Sequence, residues 1–410
     1  MKIVLRKSVL FIGFFVLCMQ SYAQNAGAPV ILSVSDAGAF SIVERSDWRR
    51  YDNGKYVGLV RNEVRASIIP QSNKSDTLET SPSGLVESST LYQGNFFVLQ
   101  STLRDMRHSA QAVDAIIPVS FEVTSSGSLE IEDDRGFPMM RGFPSFPDQF
   151  VTRGVKWNAP GNRAVDPLNM GQAIVIPFTA EYEYRGIENY NGTPVHRIYA
   201  RYGYNYQNEV APHPYVSVMG GHKVDILIRV ADGLPVFMRD DLNETFTISG
   251  GAKTEFRGFT LTFGSGIVPL DRGEVLTSLG NILNLETPDM EITPVPEGIK
   301  LTIKDIRFAA DSPEFLPEER PRLDLLAEAL KKIPDRTFLV EGHTASTGVP
   351  ANEMQLSIER ARSTINELVR RGISAEKFIY KGWGGTRPVG DNATSAGRSA
   401  NRRVEITILE

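Results

Sequence analysis

Alternation with a period of two from Ile174 to Tyr206 constrains this 410-residue chain more than any other feature. Ile174, Ile176, Phe178, Ala180, Tyr182 and Tyr184 alternate with Val175, Pro177, Thr179, Glu181, Glu183 and Arg185. A strand with that pattern shows one apolar face and one mostly polar face. Asn191-Gly192 supplies a turn, and Ile198, Ala200, Tyr202, Tyr204 and Tyr206 continue on a returning strand. Val224, Ile226, Ile228 and Val230 lead into Asp232-Gly233, a second turn dipeptide. Further strands are expected over 96–101, 116–124, 128–132, 245–249 and 256–263, so residues 28–264 read as mainly antiparallel β. Between them lies a Pro/Gly-rich passage, 135–147, in which Arg-Gly-Phe-Pro occurs twice. Proline lacks the ladder N–H, so this passage cannot run inside a regular sheet. It predicts a boundary or a crossing loop packed on its own sheet, dividing the region into β-rich units at 24–148 and 149–285.

Strands of this kind raise the question of a membrane barrel, which needs strands of about 9–11 residues with an unbroken lipid-facing apolar band. Lys223-Val224-Asp225 and Phe237-Met238-Arg239-Asp240-Asp241 put charge on both faces. Pro177 favours an edge or a bulge. Soluble β domains are therefore expected, with an outer-membrane barrel as the alternative. Asp271-Arg272-Gly273-Glu274 has the spacing of a capping box. Val275, Leu276, Leu279, Ile282 and Leu283 then form a helical stripe, predicted to pack on the preceding sheet. Residues 286–297, with Pro288, Pro294 and Pro296, read as a stiff linker.

The first 23 residues have the layout of a secretory signal: Lys2, Arg6 and Lys7, an apolar core over 8–19, and Ser21-Tyr22-Ala23 before the cleavage point. Cys18 lies inside that core, so the mature chain would have no cysteine and no disulfide or thiolate chemistry. Removing three cations changes the net charge from −5 to −8. An acidic secreted chain without basic clusters is a poor nucleic-acid binder, and no later apolar run is long enough to span a membrane as a helix.

From residue 298 the periodicity changes. Ile299, Leu301 and Ile303 mark a strand, and Leu323, Leu326, Ala327 and Leu330 a helix face. Residues 338–341 follow as a strand, then a helix striped by Ile358, Ala361, Ile365 and Leu368 that ends near Gly372. Strands at 378–380 and 404–409 complete a β-α-β-α-β-β module. The whole is a multidomain chain, mainly antiparallel β followed by α/β. Within the module, 339–348 read LVEGHTASTG, 356–368 read LSIERARSTINEL, and 382–405 read GWGGTRPVGDNATSAGRSANRRVE. That ordered set resembles the OmpA-like C-terminal domain family over residues 298–410.

The resemblance implies a periplasmic module, with outer-membrane association as a variant of that placement, that grips peptidoglycan. In the family an aspartate after a Gly-x-Thr turn holds the ammonium of the stem peptide's diamino acid, and an arginine in the Leu-Ser-x-x-Arg-Ala helix holds its carboxylate. Arginine's planar fork suits a carboxylate. Here Gly342-His343-Thr344 keeps the turn and Arg360 keeps the arginine, but Ala345 stands at the aspartate position. Glu353 stands where the family usually has asparagine, a carboxylate on the other side of the pocket. Arg360 lies about 110° round the helix from the middle of the apolar stripe, at about 100° per residue, and is expected to reach sideways instead of being buried. The degraded pocket of Thr344, Ala345, Glu353 and Arg360 predicts weak or absent peptidoglycan binding, leaving other envelope proteins as partners. Asn401, Arg402 and Arg403 are expected to maintain the fold by fixing the last loop to the final strand.

Catalytic signals are sparse. His108, His196, His213, His222 and His343 lack metal-ligand spacing, and such histidines are expected to be solvated. No Gly-x-Ser-x-Gly elbow occurs, and the glycines near 382–397 lack the Lys-Ser/Thr that a phosphate cradle needs. A non-enzymatic chain without metal or cofactor is the expectation.

Overall fold

The computed structural model describes residues 27–410 except 36–37, 72–78, 81–85, 102–109, 211, 269, 284–289, 305, 310–311, 334–335 and 347. The signal segment, Cys18, His108 and Pro288 lie outside the described residues. The N-terminal domain contains β1 (Phe40–Asp52), β2 (Lys55–Pro70), β3 (Glu79–Thr80), β4 (Val86–Glu87), β5 (Ser89–Ser101), β6 (Gln111–Ala112), β7 (Ala115–Thr124), β8 (Leu129–Ile131) and β9 (Met140–Arg141). It continues with β10 (Lys156–Val165), β11 (Ile174–Tyr190), β12 (Thr193–Gln207), β13 (Tyr215–Arg229), β14 (Pro235–Ile248) and β15 (Lys253–Gly266).

Strands from both sides of residue 148 join in one 12-stranded sheet, ordered β8-β7-β5-β2-β1-β15-β14-β13-β12-β11-β10-β9. The two units expected at 24–148 and 149–285 are therefore one domain. The reason is the pairing of β1 with β15, Phe40 opposite Gly266 through Asp52 opposite Thr254, which brings the start of the domain against its end. The sheet curls into a nearly closed barrel. Its Arg-Gly-Phe-Pro passage packs on the sheet's apolar face: Phe137 lies 5.1 Å from Phe96, and Phe143 lies 5.5–6.0 Å from Phe178, Tyr182 and Tyr202. Arg141 clamps the passage with a two-pronged bond to Asp134 at 2.6 Å.

Burial follows the alternation. Ile174, Ile176, Phe178, Ala180, Tyr182 and Tyr184 are all buried, and Asn191 and Gly192 turn the hairpin with φ of 51° and 86°. Pro177 pairs only with Asn162 of β10; β12 begins pairing with β11 further on, at Glu181, so the missing N–H faces no partner strand. On the outer face, charge runs across strands: Arg201 to Glu181 at 2.8 Å, Arg197 to Asp225 at 3.1 Å, Arg61 to Asp47 at 2.8 Å. Among the described residues no helix is long and apolar enough to cross a membrane.

The lumen is not wholly apolar. Arg163 from β10 reaches Glu244 of β14 through Nε and a terminal nitrogen, both at 3.1 Å, with the side chains 6% and 2% exposed. Tyr204 also donates to Glu244, and His222 meets Asp240 at 2.9 Å. His222 and His196 are buried, against the expectation of solvated histidines, because both point inward from strands and are held by carboxylate or tyrosine partners.

The C-terminal domain contains α1 (Arg272–Leu283), β16 (Met290–Val295), β17 (Gly298–Lys304), α2 (Arg320–Lys331), β18 (Phe338–Gly342), α3 (Pro350–Arg370), β19 (Phe378–Gly382), α4 (Ser395–Asn401) and β20 (Arg403–Leu409). Asp271 caps α1, accepting the Glu274 N–H at 2.9 Å. Two expectations are corrected here. The supposed linker holds β16, which pairs with β17 along its length, Met290 opposite Ile303. Helix α1 packs into the C-terminal core with Leu279 and Leu283 beside Leu326 and Ile365, not on the preceding sheet. The domain's sheet runs β16-β17-β20-β18-β19-β6, so a strand from the N-terminal region covers its far edge.

Taking one partner from the buried Arg163–Glu244 pair leaves a charge without compensation, which costs about 3–5 kcal/mol, while replacing both by apolar groups can be neutral. Arg163→Met should therefore lower the urea midpoint of the β domain sharply, and Arg163→Met with Glu244→Leu should recover most of the loss. Equilibrium unfolding of the three proteins checks this.

Candidate functional site

Strand β18 ends against α3. At Gly342 a Cβ would stand 2.1 Å from the Ser357 carbonyl oxygen, so only glycine lets strand and helix approach this closely. The chain then crosses the sheet's end as a loop held by backbone donors. His343 donates to the Arg403 carbonyl at 3.0 Å and Thr344 to the Gly384 carbonyl at 2.9 Å. Ser346 donates to Asn392 Oδ1 at 3.0 Å, and Gly348 to Glu353 Oε1 at 2.9 Å.

All four residues expected in the pocket are buried: Thr344, Ala345, Glu353 and Arg360 are 6%, 5%, 6% and 8% exposed. Ala345 offers only a methyl group. The Glu353 carboxylate turns to the loop, taking the Gly348 N–H, and its other oxygen fits beside Gly385, where a Cβ would come within 2.8 Å. Arg360 is covered instead of reaching out sideways. Its guanidinium lies 4.7 Å from the centre of the Phe308 ring, and Phe308 is backed by Phe315 at 4.4 Å. Phe308 escaped the sequence reading because an isolated aromatic before a helix carries no periodic signal.

Beneath the loop lies a charged layer. Burial, followed by the Arg403 charge, pushes the His343 imidazole down to about 3. Burial would raise Glu405, but the hydrogen bond from Lys300, the electrostatic pull of His343, and the hydrogen bond and charge of Arg403 hold it at about 2. Glu341 is raised, chiefly by burial, and accepts Trp383 Nε1 at 2.7 Å. Arg387 lies over that indole, its guanidinium carbon 3.4 Å from the ring centre. Among the described residues no group of three His, Cys, Asp or Glu side chains could hold a metal ion.

Residues 307–402, which span the pocket with strands β18 and β19, match the model of the OmpA family. The chain carries an OmpA family domain. Outer membrane protein A of Bordetella avium is 37% identical over 117 residues, 28% of this chain and 60% of that protein. The peptidoglycan-binding protein ArfA of Mycobacterium tuberculosis is 35% identical over 103 residues, 25% of this chain and 32% of ArfA. The chain thus spans about a third of the length of its mycobacterial relative. Among solved structures, the cell wall anchor of the T6SS from Pseudomonas aeruginosa is 30% identical, covering 32% of this chain and 96% of that one, with a TM-score of 0.29.

Elsewhere in the OmpA domain, Asn401 is fully buried. Its Oδ1 accepts the Val389 and Gly390 N–H groups at 2.8 Å, and its Nδ2 donates to the Gly390 carbonyl and Asn392 Oδ1. Asn392 in turn holds Ser346 of the pocket loop. Arg403 donates to Glu405 at 2.7 Å and to the Arg387 carbonyl at 3.2 Å. Arg402 follows α4, its N–H bonded to the Arg398 carbonyl.

A free imidazole takes up a proton near 6.5, whereas folded His343 does so only near 3. Between those values the unfolded state binds more protons, so this stability is complete above pH 6.5 and declines as pH drops toward 3. The slope is at most about 1.4 kcal/mol per pH unit. Urea midpoints taken at pH 7 and pH 5 should fall less in His343→Gln than in the parent chain.

Proposed function

We propose that this protein is a non-enzymatic, secreted cell-envelope scaffold whose OmpA domain binds diaminopimelate-type peptidoglycan weakly or not at all. The observation that carries the reading is the pocket's charge. The zwitterionic ligand asks for a carboxylate at position 345, and Ala345 has none. Glu353 does not stand in for it, because its carboxylate is turned onto the Gly348 N–H. Arg360 remains, seated on Phe308. Relatives named as an outer membrane protein and as a peptidoglycan-binding protein support placement in the envelope. The same names make a retained tether the reading against which the proposal is tested. Cleavage after Ala23 would release the chain to the periplasm, where the β domain is the end free to meet other envelope proteins.

Losing one partner of a largely buried charge pair costs on the order of 2–5 kcal/mol, roughly 30-fold to several thousand-fold in affinity. Titration calorimetry with a diaminopimelate-containing muropeptide should give no binding tighter than millimolar for the parent, and Ala345→Asp should gain at least about 30-fold. Tight binding by the parent would establish the tether instead.

The β domain is proposed to stand in water and not in lipid. Its outward positions carry cross-strand ion pairs such as Arg201–Glu181 and Arg197–Asp225, and charge on a lipid face costs about 2–4 kcal/mol for each mid-depth Arg or Lys. A chain lacking residues 1–23 should stay in the supernatant after ultracentrifugation without detergent. Recovery only in detergent would return the outer-membrane barrel.

A further inference from the structure

We propose that the barrel lumen is a binding site for a small organic cation, an ammonium group carried on an apolar body. A cavity of about 490 Å³ opens at one end of the lumen, within the range of about 300–1,000 Å³ usual for small-molecule sites. Trp48, Val64, Ile117, Phe137 and Met139 contribute apolar walls.

Two polar groups on neighbouring strands face this space with unused acceptor capacity. Glu44 of β1 lines the cavity, and among the described residues no hydrogen-bond donor or ion-pair partner meets its carboxylate. Asn62 of β2 also lines it, and its Oδ1 is buried with no hydrogen-bond partner among the described residues. In the β1–β2 register Glu44 stands opposite Val64 and Ser46 opposite Asn62, so Glu44 and Asn62 are diagonal neighbours on the inner face. Such neighbours are about 7–8 Å apart at the backbone, close enough for one donor group to bond to both side chains. Asn62 Oδ1 and an ionised Glu44 both accept, so a donor would satisfy the two together.

The nearest cation does not fill the role. Arg163, also on the cavity wall, is held two-pronged by Glu244. Asp114 and Asp166 add negative charge to the lining and Arg135 adds one positive charge, so the cavity carries more carboxylates than guanidinium groups. Burial holds the Glu44 carboxyl up at about 7, against the pull of Arg163 and with a further push from Asp240. An ammonium in the cavity would relieve that penalty, whereas an anion would add to it.

Calorimetric titration of the purified chain with phenethylammonium, 2-phenylethanol and 3-phenylpropionate tests the assignment at constant shape. The ammonium should saturate with a sub-millimolar Kd, and the alcohol and carboxylate should bind at least tenfold more weakly. Glu44→Gln, which keeps the shape of the side chain, should lose at least tenfold in ammonium affinity. Ile117→Trp, which fills the cavity, should abolish binding. Circular dichroism melting confirms that each variant is folded. Equal binding of the three probes, no saturable binding, or unchanged ammonium affinity in folded Glu44→Gln would each overturn the proposal.

Discussion

Pairing of β1 with β15 is the constraint on which the N-terminal domain depends. It sets Phe40–Asp52 against the last long strand in continuous antiparallel register, so a meander of hairpins becomes a sheet curled on itself. Curling divides every strand into a lumen side and an outer side. The lumen side must then be filled, and aromatic side chains do most of it: Phe178 stacks on Tyr202 at 4.0 Å and Trp157 on Tyr182 at 5.2 Å. Where the circle fails to close, between the short strands β8 and β9, the chain inserts Phe137 and Phe143 from the loop between and after them. Two phenylalanines thereby bury apolar surface that a paired strand would otherwise cover.

The legible part of this fold is the part in which lumen-facing positions are apolar. From Ile174 to Tyr206 the alternation announces both strands and the Asn191-Gly192 turn, and the structure places each side chain on the expected face. Strand β1 is invisible to the same test. Its inward positions include Glu44, Ser46 and Trp48 while Arg45, Asp47 and Arg49 face outward, so polar residues occupy both faces and no period survives. The link from β1 to β15 is equally hidden, since register between segments more than 200 positions apart leaves no local trace. In the OmpA domain, motif spacing identifies the loop and Arg360, but not their burial. Phe308 comes from a separate segment, and only the folded chain shows it lying over the guanidinium.

The two domains are joined by more than a tether. Residues 111–112 leave the barrel side and pair in parallel with β19, Gln111 opposite Ile379. Val113 donates to the Tyr380 carbonyl at 2.7 Å, and Lys381 donates to the Val113 and Asp114 carbonyls. Phe97 and Leu99 of the barrel share a buried cluster with Leu339, Ile379 and Leu409 of the OmpA domain. An exposed strand edge is a site for unwanted pairing, and here the barrel covers it. The same contact places the start of β7, and with it one wall of the lumen cavity, next to the OmpA sheet.

Both pockets combine satisfied charges with buried polar atoms that make no hydrogen bond. Around the OmpA loop Glu353 takes Gly348, Asn401 takes two amides, and Glu405 is held by Lys300 and Arg403, while Thr344 Oγ1 and both His343 ring nitrogens are buried without a hydrogen bond among the described residues. Ala345 adds no carboxylate to the loop, whose backbone hydrogen bonds tie it to the final strand and to α3. The lumen combines the same two features. Arg163, Glu244, Tyr204, His222 and Asp240 satisfy one another across the barrel, yet Glu44 and Asn62 stop at the cavity surface. Burying a polar group without a hydrogen bond is costly, and a carboxylate more so. A donor entering the cavity would relieve that cost at Glu44 and Asn62 together.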